Sequence, residues 1–316
     1  MREINQRRMR CFNEVLVQRS IRKAADALKM DASVLTRQIR LLEEEIGETL
    51  FERQARGMEP TEAALHLLEY WRGCEAAQEQ LKERLQSGRG PQSGTVRIVV
   101  NPGYVESLMT QVLIDFFRHY PQLHIEVDSL SVDEILMELL ENRAHIGIAF
   151  NPPAHADIEW RASAKQPVGA LVRHDHPLAR HKGAITVKEL LEHPLGVMPM
   201  DFGPGQMLHT LAREEHVEPL QAMLTNSLVV LQHLVRGGGV ATLADAHRLI
   251  PRVGDDATVF VPLRHPLARS ARAAVLVKAR RPLGLAADEL LHRLLTRMSP
   301  FAEAPAPKTK SVRRTA

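Results

Sequence analysis

The chain has 316 residues, of which 44% are apolar and 25% are charged, a composition that is ordinary for a globular protein. It has no run of about 18 uncharged apolar residues, and the first residues lack the apolar stretch of a secretory signal, so we expect neither a membrane span nor export. The two cysteines, Cys11 and Cys74, are too few for a disulfide framework. We therefore expect a protein of the reducing cytoplasm that has two or three compact units.

Positive charge is concentrated near the N-terminus. The whole chain carries a formal net charge of only +3, but residues 1–40 contain ten Lys or Arg and four Asp or Glu. Such a local excess can neutralise DNA phosphates. An ordinary solvated surface would explain the same charges, so charge alone leaves both interpretations open.

Residues 20–46 predict two helices separated by a tight turn at 30–32. Ser20 can cap the first helix and Asp31 the second, and small alanines at 24 and 25 let another helix approach closely. In the second helix, a stripe at i, i+4, i+7 and i+11 should face the core: Leu35, Ile39, Leu42 and Ile46. The opposite face carries Ser33, Thr36, Arg37 and Arg40. A short helix followed by one with small polar and Arg residues outward is typical of a major-groove reader.

The segment after Gly47 predicts a turn and a small wing. Within LFERQARGMEPT (50–61), Arg53 and Arg56 flank a turn at Gly57, where they could contact backbone phosphates. For Arg37 and Arg40 the alternative is pairing with the acidic run at 43–45, since Arg40 and Glu44 are i,i+4 partners.

Residues 61–87 predict one long helix with a heptad seam. The seam positions step by three and four: Ala64, Leu67, Trp71, Cys74, Gln78, Leu81 and Leu85. Such a seam favours pairing with a second helix, and so a dimer. Packing of the helix on its own domain is the alternative.

These motifs together resemble LysR-type transcription regulators over about residues 5–90. The resemblance rests on the double Ala, the break, LTRQIRLLEEEIGETLFER and the Pro60–Ala63 segment. It implies a winged helix-turn-helix at 1–60, a dimerisation helix at 61–87, a hinge at 88–94, an effector-binding domain, and dimers that pair into tetramers. Where the family usually has Ser-Gln-Pro, this chain has Asp31-Ala32-Ser33, so Ala32 offers only apolar contact, for instance with a thymine methyl. We expect operator contacts from Arg22, Ala32, Ser33, Thr36, Arg37, Arg40, Arg53 and Arg56.

Residues 95–299 predict two α/β lobes with largely parallel sheets. Short β-branched runs alternate with amphipathic helices from Thr95 onward. We expect lobe one at 95–165 and 269–299 and lobe two at 166–268, joined by two crossings as in periplasmic binding proteins. The fold class is thus α+β multidomain: an all-α winged helix-turn-helix, a linker helix and two α/β lobes. Residues 300–316 predict a disordered basic tail.

Strand ends and helix N-termini indicate where a ligand would lie in the lobes. Free N–H groups at helix N-termini favour an anion, so a small carboxylate is the expected effector, with aromatic lining from Tyr104, Phe150 and Phe202. The candidate contacts are Asn101, Gly103, Tyr104, Ser129, Phe150, Asn151, Met200, Phe202, Gly203, Pro204, Asn226 and Ser227. Each has a structural alternative, such as Ser227 as a helix cap, Phe150 as core and Gly203 as a turn residue.

An enzyme is the main rival class: a small-molecule-binding or metal-dependent enzyme with an appended DNA-binding head. His174-Asp175-His176 is the closest potential metal cluster, but alternating positions rarely converge on one ion. Hydrolase, zinc-protease and phosphate-loop motifs are absent from the sequence. We expect no catalytic residue, metal or cofactor. The predicted function is effector-controlled operator binding at the nucleoid, which alters recruitment of RNA polymerase.

Overall fold

The protein is described by a computed structural model that covers residues 4–54, 57–86, 94–245 and 257–302. The chain forms two compact units, Met1–Glu79 and Gln80–Ala316. Each unit has a hydrophobic core of its own.

The described residues of the N-terminal unit form four helices and a hairpin, and the fourth helix continues past Glu79. The elements are α1 (Gln6–Gln18), α2 (Ile21–Ala27), α3 (Ala32–Ile46), β1 (Phe51–Gln54), β2 (Gly57–Pro60) and α4 (Glu62–Gln86). Each helix turns apolar residues towards one core, which holds Phe12 of α1 together with Leu35 and Leu42 of α3. Burial of these residues from water is what holds such short helices in place.

Local signals set the ends of these helices. The Ser20 hydroxyl accepts from the Lys23 N–H at 3.4 Å and so caps α2. Gly47 ends α3 in the left-handed region at φ 86°, where its N–H donates to Glu43 O. The expectation for Asp31 was wrong in one respect. It occupies the capping position of α3, but its carboxylate makes no capping hydrogen bond to the described residues of that helix.

The first lobe of the C-terminal unit is a five-stranded sheet with helices. Its chain order is β3 (Thr95–Val100), a 3₁₀ turn (Pro102–Tyr104), α5 (Val105–Leu108), a π turn (Met109–Leu113), α6 (Ile114–His119), β4 (His124–Ser129), α7 (Val132–Leu140), β5 (Ile146–Phe150), β6 (Ile158–Lys165), β12 (Arg272–Lys278) and α12 (Leu285–Arg297). The strand order is β4–β3–β5–β12–β6. The last strand and helix return to this lobe, as the sequence predicts.

The second lobe holds the intervening elements. They are β7 (Val168–Arg173), a 3₁₀ turn (Pro177–Arg180), α8 (Val187–Leu191), β8 (Leu195–Val197), α9 (Gly203–Glu214), β9 (Gln221–Leu224), α10 (Leu228–Gly237), β10 (Ala241–Asp245), β11 (Thr258–Pro262) and α11 (Pro266–Ser270). The strand order is β11–β7–β10–β8–β9. The sequence analysis does not single out β6 or β11, although the strict alternation of apolar and polar residues from Ile158 to Lys165 is a strand signal that could have found β6.

Both sheets are mixed, and in each of them four of the five strands run in one direction, in agreement with the expectation of largely parallel sheets. Strand β12 runs antiparallel to β5 and β6, and β7 runs antiparallel to β10 and β11. The reason is the way the chain changes lobe: each crossing delivers a strand in the opposite direction to its neighbours. The two crossings are joined directly, since the Gln166 N–H donates to Ala271 O at 2.8 Å.

The beginning of the expected disordered tail is ordered. Pro300 and Phe301 are buried, with the Phe301 ring 6.4 Å from the ring of Tyr104. The Ser299 N–H donates to the Gln111 side chain at 2.8 Å. The apolar contacts of Phe301 order this segment, although its local sequence predicts disorder. Residues 303–316 lie outside the described residues.

Within the described part of the chain, no helix combines the length and the hydropathy that a bilayer crossing needs.

Candidate nucleic-acid interface and ligand cleft

The outward face of α3 carries the residues that sequence analysis assigns to DNA. Ala32, Ser33, Thr36, Arg37 and Arg40 are all exposed. The opposite face is buried in the N-terminal core. The helix, 15 residues in length, therefore presents a mostly polar face to solvent.

Local hydrogen bonds decide what two of these side chains can offer. The Thr36 hydroxyl donates to Ala32 O at 2.8 Å, so its oxygen remains available only as an acceptor. Arg40 Nε lies 3.5 Å from Glu44 Oε1, and both side chains are mostly exposed. An exposed pair of this kind contributes little, so the guanidinium can leave it for a base or a phosphate.

The hairpin β1–β2 is fixed against the turn between α1 and α2. The Met58 N–H donates to Arg19 O at 3.0 Å, and Arg19 Nη1 lies 3.4 Å from Glu59. Gly57 has φ 125°, and a Cβ there would lie 2.5 Å from Arg19 O, so only glycine fits. The hairpin is thus held beside α2, whose first turn carries exposed Arg22. Arg56 and the side chain of Arg53 lie outside the described residues.

The first half of the predicted dimer seam is not available to a partner. Ala64, Leu67 and Trp71 are buried in the core of their own N-terminal unit, because α4 begins as the fourth helix of that core. Assigning these three to dimerisation was wrong, and the alternative holds for them. Further along α4, Cys74 is half-buried and Gln78 and Leu81 are exposed. The side chain of Leu85 lies outside the described residues.

Asn101 is a structural clamp and not a free ligand-binding amide. Its side chain is buried, its Nδ2 donates to Leu130 O at 2.8 Å, and its Oδ1 accepts from the Phe150 N–H at 2.7 Å. One amide thereby ties together the carboxyl ends of β3, β4 and β5. This corrects its assignment to the effector.

Tyr104 is also a core residue and not an exposed cleft wall. It is fully buried, and its hydroxyl donates to Gln166 Oε1 in the first interlobe crossing. Sequence analysis missed Gln166, which is buried as well, because a single polar residue between two strands carries no periodic signal. Gly103 precedes Tyr104 and is half-buried.

Phe150 and Gly203 lie on different lobes and contact each other. A Cβ at Gly203 would overlap the Phe150 ring, with Cε1 at 3.2 Å and the Phe150 carbonyl oxygen at 3.4 Å. The first turn of α9 in lobe two therefore rests on the end of β5 in lobe one. The ring is buried, so the two predicted ligand contacts close the cleft at this point.

The other predicted cleft residues lie at the carboxyl ends of strands or shortly after them. Phe202, Pro204 and Ser227 are half-buried, and the exposed ones are Ser129, Asn151, Met200 and Asn226. Ser227 caps α10 by accepting from the Val230 N–H at 3.4 Å, which is the structural alternative stated for it.

The electrostatics of this region rest on backbone groups. The predicted contacts include no cationic side chain, and Asp201 adds an exposed carboxylate beside them. No side chain among the described residues caps the first turn of α9. An anion would therefore depend on the N–H groups of that turn.

His176, from the potential metal cluster of the sequence, has a packing role in lobe two. The His176 ring packs edge-on against His193 at 4.8 Å, and its Nδ1 accepts from the Leu178 N–H at 3.2 Å. Burial, followed by the neighbouring His193, lowers the His176 pKa. In the described residues, no group of three or more His, Cys, Asp or Glu is arranged to hold a metal ion.

Comparison with protein families gives two matches. The family described as "LysR substrate binding domain" matches residues 89–299, and that described as "Bacterial regulatory helix-turn-helix protein, lysR family" matches residues 6–65. Together they cover most of both compact units.

Similar curated proteins are regulators. The chain is 24% identical to a RuBisCO operon transcriptional regulator of Allochromatium vinosum, over 78% of this chain and 81% of the relative. It is 28% identical to the transcriptional dual regulator GltC of Bacillus subtilis (strain 168), over 82% and 86% respectively.

Solved structures share the fold. A full-length single-substitution variant of OxyR from Pseudomonas aeruginosa aligns with TM-score 0.67 at 15% identity, over 93% of this chain and 94% of the other. Full-length CbnR in complex with its target DNA aligns with TM-score 0.58 at 18% identity, over 92% and 98%.

Proposed function

The chain belongs to the LysR family of bacterial transcription regulators, and we propose that its α3 face reads an operator under control of a small carboxylate held between the two lobes. The protein is a DNA-binding transcription regulator with an effector-binding domain, and not an enzyme. The exposed polar face of α3, backed by a buried stripe, is the observation that carries the proposal.

Base reading is proposed for Ser33, Thr36, Arg37 and Arg40. The arginines suit guanine, which presents two acceptors in the major groove, whereas Thr36 can accept from an adenine or cytosine amine. Arg22 and the basic residues of the wing, Arg53 and Arg56, supply phosphate contacts that fix the register without reading sequence.

A dimer would pair through the free part of α4. Tyr70, Cys74, Ala77 and Leu81 step by four, three and four, and all are exposed or half-exposed. This seam shares Cys74 and Leu81 with the predicted one and lies beside its buried part, Ala64, Leu67 and Trp71. Two copies paired here would carry two α3 helices to two half-sites, and pairing of dimers would give a tetramer.

A carboxylate effector is supported by the first turn of α9. Its N–H groups have no side-chain cap among the described residues, and they lie next to the contact between the two lobes. Phe202 and the rim around Phe150 supply apolar surface for the remainder of the ligand. A ligand that binds both lobes would shift their closure by its difference in affinity for the two arrangements, and so alter operator binding and RNA polymerase recruitment at the nucleoid.

The test is a ligand screen followed by a DNA footprint. Thermal unfolding of the full-length protein is measured in the presence of small aliphatic and aromatic carboxylates, one at a time. It is measured again with the corresponding amides, which keep the shape of each carboxylate but lose its charge. A carboxylate at 100 times its Kd should stabilise the native protein by about 2.7 kcal/mol, and its amide should not. The same carboxylate should change the footprint on a duplex selected from a random pool. Equal stabilisation by both series would exclude an anion site, and an unchanged footprint would exclude the coupling.

A further inference from the structure

Val34 is an apolar side chain on the exposed face of the recognition helix. It is 42% exposed, although the next residue, Leu35, is fully buried. A single exposed valine is common on protein surfaces, so its position has to justify any role. The sequence analysis assigns the apolar contact on this face to Ala32 and does not select Val34.

The position of Val34 is that of a base-contacting residue. It is the third residue of α3, and residues near the N-terminus of a recognition helix contact base edges in the major groove. It follows exposed Ser33 directly and precedes Arg37 by one helical turn. At a rotation of about 100° per residue, Val34 lies about 60° from Arg37 around the helix, so docking that brings Arg37 to the bases places Val34 beside them.

The chemistry of the groove leaves one partner for an apolar side chain. Guanine, adenine and cytosine present hydrogen-bonding groups there, whereas thymine adds a C5-methyl group. The neighbouring outward residue, Ala32, is also apolar but carries only a single methyl. A branched valine is the longer of the two and offers a surface on which that methyl can pack.

We propose that Val34 packs on a thymine methyl in each operator half-site and so specifies thymine at that position. The inference rests on the proposed operator binding by α3. It adds an apolar specificity contact to the hydrogen bonds of the arginines and Thr36.

The experiment removes the thymine methyl group and the Val34 side chain, first separately and then together. The tightest duplex recovered by the wild-type protein from a random pool is resynthesised with each thymine replaced, one at a time, by deoxyuridine, which lacks only the methyl. Wild-type affinity should fall about fourfold at one thymine per half-site, the effect of exposing one methyl-sized group. Val34→Ala should bind the original duplex more weakly by a similar factor and show no further loss with deoxyuridine at that position.

Val17→Ala is the matched control, because Val17 is 68% exposed but lies on α1. It should keep the deoxyuridine sensitivity of the wild type. Arg37→Ala should bind more weakly yet retain that sensitivity, since it removes a different contact. Circular dichroism melting establishes that each variant is folded.

Two results would overturn the proposal: a wild type that is indifferent to every deoxyuridine, or a Val34→Ala variant that stays sensitive at the same thymine. Failure of the wild type to enrich any duplex is a different outcome. It would count against operator reading by α3 as a whole.

Discussion

His145 shows how a single half-buried residue makes the stability of lobe one depend on pH. Its Nδ1 accepts from the Arg97 N–H at 2.9 Å. Burial, followed by the charges of Arg281 and Arg97, lowers the His145 pKa from 6.5 to about 4. Above pH 6.5 the imidazole is neutral in the folded and the unfolded chain, so protonation of His145 does not lower the free energy of unfolding there. As the pH falls from 6.5 towards 4, only the unfolded chain takes up the proton, and the free energy of unfolding decreases.

We expect a loss of about 1–2 kcal/mol from this residue between about pH 7 and pH 5, measured by urea unfolding. His145→Asn keeps an acceptor near the Arg97 N–H but does not titrate, so it should flatten the pH profile. His209→Asn, an exposed histidine on α9, should leave the profile unchanged. A His145→Asn profile that runs parallel to the wild type would show that other groups cause the pH dependence.

At the scale of elements, α4 has two roles along its length. Trp71 is buried in the N-terminal core, whereas Leu81 is 57% exposed on the free seam. Leu81→Glu should therefore weaken the dimer, as measured by sedimentation. It should leave the thermal unfolding temperature of the monomer unchanged, as measured by circular dichroism. Trp71→Glu should unfold the N-terminal unit, since it buries a charge.

Leu65→Glu controls for the added charge on α4. Leu65 is 55% exposed, and a helical rotation of about 100° per residue places it about 160° from Leu81 around the helix. This variant should remain a dimer. A Leu81→Glu protein that sediments like the wild type would remove α4 from the dimer interface.

At the scale of the whole effector-binding domain, the contact between Phe150 and Gly203 holds the lobes together at one point. Gly203→Val should separate the first turn of α9 from the Phe150 ring, at a cost of about 1–3 kcal/mol in stability. Hydrogen exchange should become faster in that turn and at the end of β5. Gly183→Val is the matched control, because a Cβ there would meet no described atom within 4 Å. Unchanged exchange in Gly203→Val would mean that the lobes close elsewhere.

Much of the fold was predictable, because periodicity records which face of an element is buried. The stripe containing Leu35 and Leu42 indicated α3 and its outward face, and the alternation of short strands and helices from Thr95 onward indicated the two α/β lobes. Strand direction was less accessible. Local pattern does not distinguish a parallel strand from an antiparallel one when both are buried, so the mixed character of the two sheets emerged only from the pairing of β12 and β7.

The sequence by itself determined the regulator family and the exposed, mostly polar face of α3, since both depend on residue types at fixed local spacing. The tertiary structure decided the roles of individual side chains. It assigned Trp71 to the core of its own unit, Asn101 to a clamp between strands, and Tyr104 to the crossing at Gln166. The physical reason is that a heptad seam or a strand-end residue looks the same from the sequence whether its partner is in the same domain, a second copy or a ligand. Only packing distinguishes them.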